Sequence, residues 1–421
     1  MTGTSVDGAT VVVVGAGYEG KRRVHERMAA LGARLVIVDE PGHWSERLVA
    51  DGVAVEWFGV PIVGDVDTDA AVVLGALDGA RLRPDAVLTF WEDSVGVTAR
   101  VAATLGLPGN PPGAVDSARS KVRTRQLSAE LGLPTPKAQR VRSLDELFAA
   151  AAHVGFPAVV KPEFGASAMG CVRVDDFESL PKIYGLVRSV VGPESDGIFR
   201  TGNDLLLEEY LDGVEFDVDL VMQDGECAFS SVSQNWPTAE PSFQETGLHA
   251  PPDHDRKEVK RLVDLTVRTA QGFGLHRGVL HIEGKCTTRG PRIVEVNARM
   301  GGGRIYEMVR SIWGVDLVEA HLRCSLDLPV QLRPSRKPRC AVVDKIVHAS
   351  STGRLMSLPI GDVADDECLG IDIDAEIGDE VVGPEAVFAT VLAEIVVVGK
   401  DLRRARELAA RIVSEAPSIE V

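Results

Sequence analysis

With 421 residues, 45% hydrophobic and 25% charged, the chain has an ordinary globular composition and enough length for two or three cores. Its formal net charge of −17 argues against a nucleic-acid or anionic-membrane partner, while leaving room for a locally positive nucleotide pocket. Six scattered cysteines with no C-x-x-C pair argue against a zinc site, no apolar run approaches the ~18 residues of a membrane span, and the polar N-terminus is no signal peptide; a cytoplasmic location is expected.

The N-terminal part alternates strand and helix: strands over 10–15, 34–39 and 85–90, helices over 19–31 and 94–105. That β-α-β rhythm predicts a parallel sheet covered on both faces. Gly15-Ala16-Gly17-Tyr18-Glu19-Gly20, with Asp39 ending the next strand, satisfies the dinucleotide fingerprint on paper. The same glycines serve any tight βα turn, and the chain carries no hydride-transfer apparatus, so a structural or substrate-side role is expected. Pro/Gly-rich breaks at 107–113 and 132–136 flank a helix expected over 117–131. Residues 157–328 read as an α+β region holding the chemistry-bearing motifs, and 333–421 as strands with one helix over 402–414.

Lys121 sits early on the predicted helix, in S-K-V-R-T-R. Lys161 follows the apolar strand Phe156-Pro157-Ala158-Val159-Val160 and precedes the small-residue loop Gly165-Ala166-Ser167-Ala168-Met169-Gly170. A lysine ending a buried strand needs an anionic partner, and such a loop can bring backbone N–H groups onto phosphate oxygens. No G-K-[ST] occurs, so this is not a P-loop. Leu205 to Glu209 reads as a strand ending in acids, followed by Tyr210, Leu211 and, past a turn, Glu215.

The segment from His281 to Arg304 is the most informative. Glu283, Glu295 and Asn297 fall on two apparent strands joined around Arg289-Gly290-Pro291. Period-2 alternation puts Glu295 and Asn297 on one face. A hairpin symmetric about Arg289 sets Glu283 opposite Glu295, with Arg299 following on that face. Hard oxygen donors beside apolar strand residues suit Mg²⁺, which completes its shell with water and phosphate oxygens.

In order and spacing, Lys121, Lys161 with its loop, Glu208 to Glu215, and Glu283/Glu295/Asn297 resemble the ATP-grasp enzymes over nearly the whole chain. The resemblance implies an ATP-grasp fold of α/β and α+β parts: an N-terminal Rossmann-like pre-ATP-grasp domain (1–113), a linker helix with the small lobe (114–212), and the large lobe with a C-terminal subdomain (213–421). By motif, Lys121 and Lys161 would contact ATP phosphates under the loop that includes Gly165, Ser167, Ala168 and Gly170. Glu208, Tyr210 and the backbone near Leu211 would hold adenine, and Glu215 the ribose. Glu283, Glu295 and Asn297 would bind two Mg²⁺, with Mn²⁺ as substitute, and Arg299 would stabilise the acyl-phosphate or tetrahedral species.

Within that superfamily the chain looks most like the L-amino acid (dipeptide) ligases, on Phe243 to Pro252 and Glu295 to Gly303. That likeness implies Glu245 for an α-ammonium, His249 for a polar contact, and Arg299 for the carboxylate being activated. Gly301, Gly302 and Gly303 stand where some dipeptide ligases carry a bulky side chain, which predicts a roomier or differently shaped acyl pocket. The expected reaction joins an amino acid and an amine, both small molecules, and a homodimer is common in such families. Alternatives are a γ-glutamyl, β-alanyl or purine-pathway ligase, a biotin-carboxylase-like enzyme lacking any M-K-M segment, and a non-catalytic ATP-binding regulatory module.

Overall fold

The β-branched run TVVVV forms β1 (Thr10–Val14), whose valines are all buried, as a central parallel strand requires. In the computed structural model, which describes residues 5–420 except 193, 196 and 385–387, β1 joins β2 (Arg34–Asp39), β3 (Ala54–Gly59) and β4 (Ala86–Leu88) in a parallel sheet of order β3-β2-β1-β4. β3 and the helix Val66–Gly79 complete the wound unit in a stretch where the sequence reading assigned no element.

The helix expected over 117–131 is two helices, Pro112–Arg119 and Lys121–Glu130. Ser120 between them is extended (φ −84°, ψ 112°), and its hydroxyl accepts from the Arg123 N–H at 3.1 Å. This N-cap starts a fresh helix and sets Lys121 in its first turn. The first helix opens with proline inside the expected 107–113 break. Its Ala114, Val115 and Ala118 share a core with Phe216, Leu220 and Leu265, so by packing it belongs with the large lobe.

The small lobe is an antiparallel sheet of β5 (Ala138–Val141), β6 (Ala158–Pro162), β7 (Val172–Val174) and β8 (Leu205–Glu209), in the order β5-β8-β6-β7, over its own core of Leu147, Val160, Phe199 and Leu207. The large lobe contributes β9 (Val214–Gln223), β10 (Glu226–Asn235), β11 (Gly247–Ala250), β12 (Gly278–Thr287), β13 (Gly290–Asn297) and β14 (Ala341–His348). β15 (Gly353–Ser357), β16 (Cys368–Ile373), β17 (Glu380–Val381), β18 (Val391–Gly399) and β19 (Ser418–Glu420) follow. The main sheet has eight strands in the order β13-β12-β9-β10-β11-β14-β18-β16, and β17-β15-β19 form a small one. The C-terminal helix, Leu402–Ile412, packs Leu408 and Ile412 onto Ile395 and Val397.

One continuous core unites Val11 and Leu35 of the first sheet with Ile312, Val318 and Val342 of the large lobe. The small lobe's core is separate, leaving a cleft between it and the eight-stranded sheet. No helix among the described residues is long and apolar enough to cross a membrane.

Candidate active site

A cavity of about 510 Å³ fills that cleft and draws walls from all three parts of the chain: Tyr18 and Lys21, Lys161 and Ser167, Glu283 and Glu295. Lys161 points in from β6, and its Nζ meets Glu208 Oε1 at 2.7 Å from the neighbouring β8. Arg125 clamps the same carboxylate, Nε to Oε2 at 2.5 Å and an Nη to Oε1 at 3.2 Å. Burial alone would raise Glu208, but Arg125 and Lys161 outweigh it and hold the carboxyl down at about 2. Both carboxylate oxygens are therefore committed to cations. In this arrangement the side chain anchors Lys161, which the sequence alone did not suggest.

Lys121 Nζ reaches Glu295 Oε2 at 3.0 Å and the Gly165 carbonyl at 3.1 Å, tying the linker helix to both the hairpin and the glycine loop. Its backbone N–H donates to the Glu163 carbonyl at 3.2 Å, and Ser120 bonds the Glu163 carboxylate. In the loop Ser167 (φ 54°), Ala168 (φ 57°) and Gly170 (φ 74°) are left-handed, a costly run for side-chain-bearing residues. Within the loop the Met169 and Cys171 N–H groups bond back to the Ala166 and Ala168 carbonyls, at 3.0 and 2.9 Å.

The hairpin pairs Glu283 with Glu295 as expected, by a less direct route. Its tip pairs Thr287 with Gly290, one residue off symmetry about Arg289, and a bulge next to Glu283 leaves Val294 unpaired and restores the register. Arg125 donates to the Val294 carbonyl at 2.5 Å. On its other side Glu283 pairs with Asp217 of β9, so three carboxylates form one cross-strand row: Asp217, Glu283, Glu295. The adjacent row is Asp219, His281, Asn297.

Burial, then Glu295 and Asp217, push Glu283 well above the usual carboxylate range, and burial carries Asp217 up to about 6. Lys121 overcomes burial at Glu295 and keeps it low. Against burial, Asp219, 3.0 Å from Nδ1, raises His281 to about 9, and His281 Nε2 lies 3.8 Å from Glu283. Negative charge thus exceeds what the nearby side chains neutralise, and hard oxygen donors of this kind fit a divalent cation. No group of three or more His, Cys, Asp or Glu among the described residues has metal-holding geometry, so phosphate oxygens and water would complete the shell. Asn297 is 1% exposed and, with its amide nitrogen turned inward, donates to Glu92 Oε2 (3.1 Å) and Glu295 Oε1 (3.2 Å).

Toward the outer end, Tyr210 donates to Glu240 at 2.7 Å beneath the Arg173 guanidinium, and Lys285 links the Leu211 carbonyl (3.5 Å) with Glu215 (3.3 Å). Arg299 is held by Glu92 at 2.7 Å and lines the cavity with Glu245, Gly302 and Gly303. The Gly301 carbonyl accepts from Lys21 at 3.4 Å, while a side chain on Gly301 would strike His281 at 2.8 Å. His249 departs from its expected place. Strand alternation on β11 turns Leu248 to the cavity and the His249 ring away, onto Trp236 (3.1 Å), Arg406 (3.3 Å) and Asp253 (3.4 Å).

The ATP-grasp domain family matches residues 154–307, and the ATP-grasp N-terminal domain family matches 26–109. The chain belongs to the ATP-grasp family. Carnosine synthase 1 of Gallus gallus is 34% identical over 367 residues, 83% of this chain and 39% of that one. Alanine–anticapsin ligase of Bacillus subtilis is 25% identical over 252 residues, 56% of this chain and 52% of the ligase. The chain spans about two fifths of the length of the carnosine synthases it matches. In fold, the L-amino acid ligase of Bacillus licheniformis superposes with a TM-score of 0.79 at 20% identity, covering 99% of this chain and 100% of the other.

ATP-grasp enzymes use ATP, and the fold explains the glycines after β1. Asp39 accepts from Ala16 N at 2.8 Å, and a Cβ on Gly17 would lie 2.9 Å from the Trp91 ring. The acid and the glycines of the dinucleotide fingerprint serve each other and the packing of Trp91. The sequence reading missed Lys21, Glu92, Arg125 and Asp217. Asp217 was legible, since Glu215, Asp217 and Asp219 recur with period 2 on β9; the others come from elements distant in sequence.

Proposed function

We propose that this ATP-grasp protein is an ATP-dependent ligase that joins the carboxylate of an amino acid to an amine through an acyl-phosphate, releasing ADP and phosphate. The observation that carries the reading is the convergence, in one cavity, of Lys121, Lys161, Glu283, Glu295 and Arg299. The substrate carboxylate attacks the γ-phosphorus of ATP and ADP leaves; the amine then attacks the acyl carbon, phosphate leaves, and the amine proton goes to solvent or phosphate. Lys121 and Lys161 bind phosphate oxygens under the 165–170 loop. Glu208 serves as a positioning residue for Lys161, which leaves adenine to the backbone near Leu211 and ribose to Glu215. Two Mg²⁺ (or Mn²⁺), held by Glu283, Glu295 and Asn297, would neutralise charge on the transferred phosphoryl group. Arg299, oriented by Glu92, faces the developing charge on the activated carboxylate. Six free cysteines support a reducing, cytoplasmic setting.

The test is ATP-dependent phosphate release across a matrix of amino acids and amines, with product masses. Release requiring a specific pair, and a product lighter than the two by one water, establishes the reaction. Bicarbonate-dependent ADP release would instead establish a carboxylase, and ATP binding without turnover a regulatory module.

A further inference from the structure

At the Gly302–Gly303 end of the cavity lies a second group of acids that the phosphate and metal chemistry leaves unused. Asp344 on β14 and Glu394 on β18 are hydrogen-bonded to each other through a shared proton, so the pair carries one charge, and they line the cavity with Glu245. Asp344 is 6% exposed, and its Oδ1 has no hydrogen-bond partner. A desolvated carboxyl oxygen left without a partner is destabilising unless something fills the place.

The surrounding cations are committed elsewhere. Arg304 is bound to Asp372 (2.7 and 2.9 Å) and the Leu369 carbonyl. Arg23 is bound to Glu307 (2.5 Å) and the Gly303 carbonyl (2.7 Å), and Lys21 to the Gly301 carbonyl. Among the described residues, no Lys, Arg or His lies within 4.0 Å of the Asp344, Glu394 or Glu245 carboxyl oxygens. The same part of the wall carries Tyr18, Leu248 and Ile346. Apolar and aromatic surface beside acids with no cationic partner suits an organic cation with a hydrocarbon stem, not a bare metal ion. Gly303 keeps the approach open, because a Cβ there would sit 2.7 Å from Glu394 Oε1.

We propose that Asp344 and Glu394 form a cation-recognition subsite that takes an ammonium, guanidinium or imidazolium group of one of the two substrates. Calling that cation a substrate group rests on the ligase reading above. The acids select the substrate at the end of the cavity away from Lys121 and Lys161, and take no part in phosphoryl transfer.

The experiment is calorimetric binding to the full chain with MgADP present, using lysine, norleucine and the N-acetyl form of each. In the wild type a charged ligand should bind at least about tenfold more tightly than its neutral counterpart, the weight of one charge-assisted hydrogen bond. Lysine against norleucine reads a side-chain cation, and either amino acid against its N-acetyl form reads the α-ammonium. Asp344→Asn and Glu394→Gln should each erase that preference while changing the neutral ligand's affinity by less than about twofold. Equal binding of charged and neutral ligands by the wild type, or equal weakening of both by the variants, overturns the subsite. Should Asp344→Asn fail to fold, Glu394→Gln, on a half-buried residue, decides alone. Because the readout is binding, absence of ATP turnover with every pair would remove the ligase reading without touching this result.

Discussion

Replacing Glu208 with glutamine tests whether this residue holds Lys161 or contacts adenine. Arg125 and Lys161 are each 5% exposed, so the neutral amide strands two buried cations. The depression of Glu208 from 4.5 to about 2 corresponds to roughly 3 kcal/mol of stabilisation by the folded surroundings. Breaking a buried ion pair by removing one partner costs a similar 3–5 kcal/mol, roughly. Because the folded-state value lies below the unfolded one, the contribution is fully present above about pH 4.5 and is lost as pH falls toward 2. Urea unfolding should therefore show Glu208→Gln less stable by roughly 3 kcal/mol at neutral pH, with the gap to wild type closing below about pH 4. Nucleotide binding separates the two roles. A positioning residue lost should weaken ATP and inosine triphosphate by the same factor, about tenfold or more, because both need Lys161 on their phosphates. A loss confined to ATP, with stability unchanged, would refute the positioning argument and return Glu208 to the adenine amino group.

Glu295→Gln should abolish Mg²⁺-dependent ATP turnover, by at least about a hundredfold, while near-UV circular dichroism stays native; near-normal activity would remove the metal assignment. Gly303→Trp should narrow the range of amino acids accepted, since even its Cβ meets Glu394 and the position is left-handed (φ 48°); unchanged kinetics across small and large amino acids would count against the roomy pocket. His25, His249 and His321 are pushed down to about 4 chiefly by burial, so each is neutral when folded and takes up a proton on unfolding below about pH 6.5. Stability is then complete above that value and falls as pH drops toward 4. His321→Gln should remove roughly 2 kcal/mol of that fall at about pH 5, read from urea midpoints at pH 5 and 7, and an unchanged slope would show that His321 is not charged on unfolding.

The family, and the strand faces on which the candidate acids stand, were legible in the sequence because they rest on local signals. The period-2 acids of β13 state which face Glu295 occupies, the β-α-β rhythm states a parallel sheet, and the small residues after Lys161 state a loop that backbone N–H groups can line. Tertiary structure decided whatever depends on register, burial and distant partners. The Val294 bulge restores the pairing of Glu283 with Glu295, and a serine cap splits one expected helix into two at Lys121. Leu248 takes the cavity that His249 was expected to share, a matter of strand phase that two prolines nearby do not reveal. The anchoring of Glu208 is not legible locally, because Arg125, 83 residues earlier, gives no sign in sequence that it will arrive beside it. Asp344 and Glu394 are ordinary strand acids until β14 and β18 bring them together at the cavity wall, where burial pushes both carboxyls above their usual range.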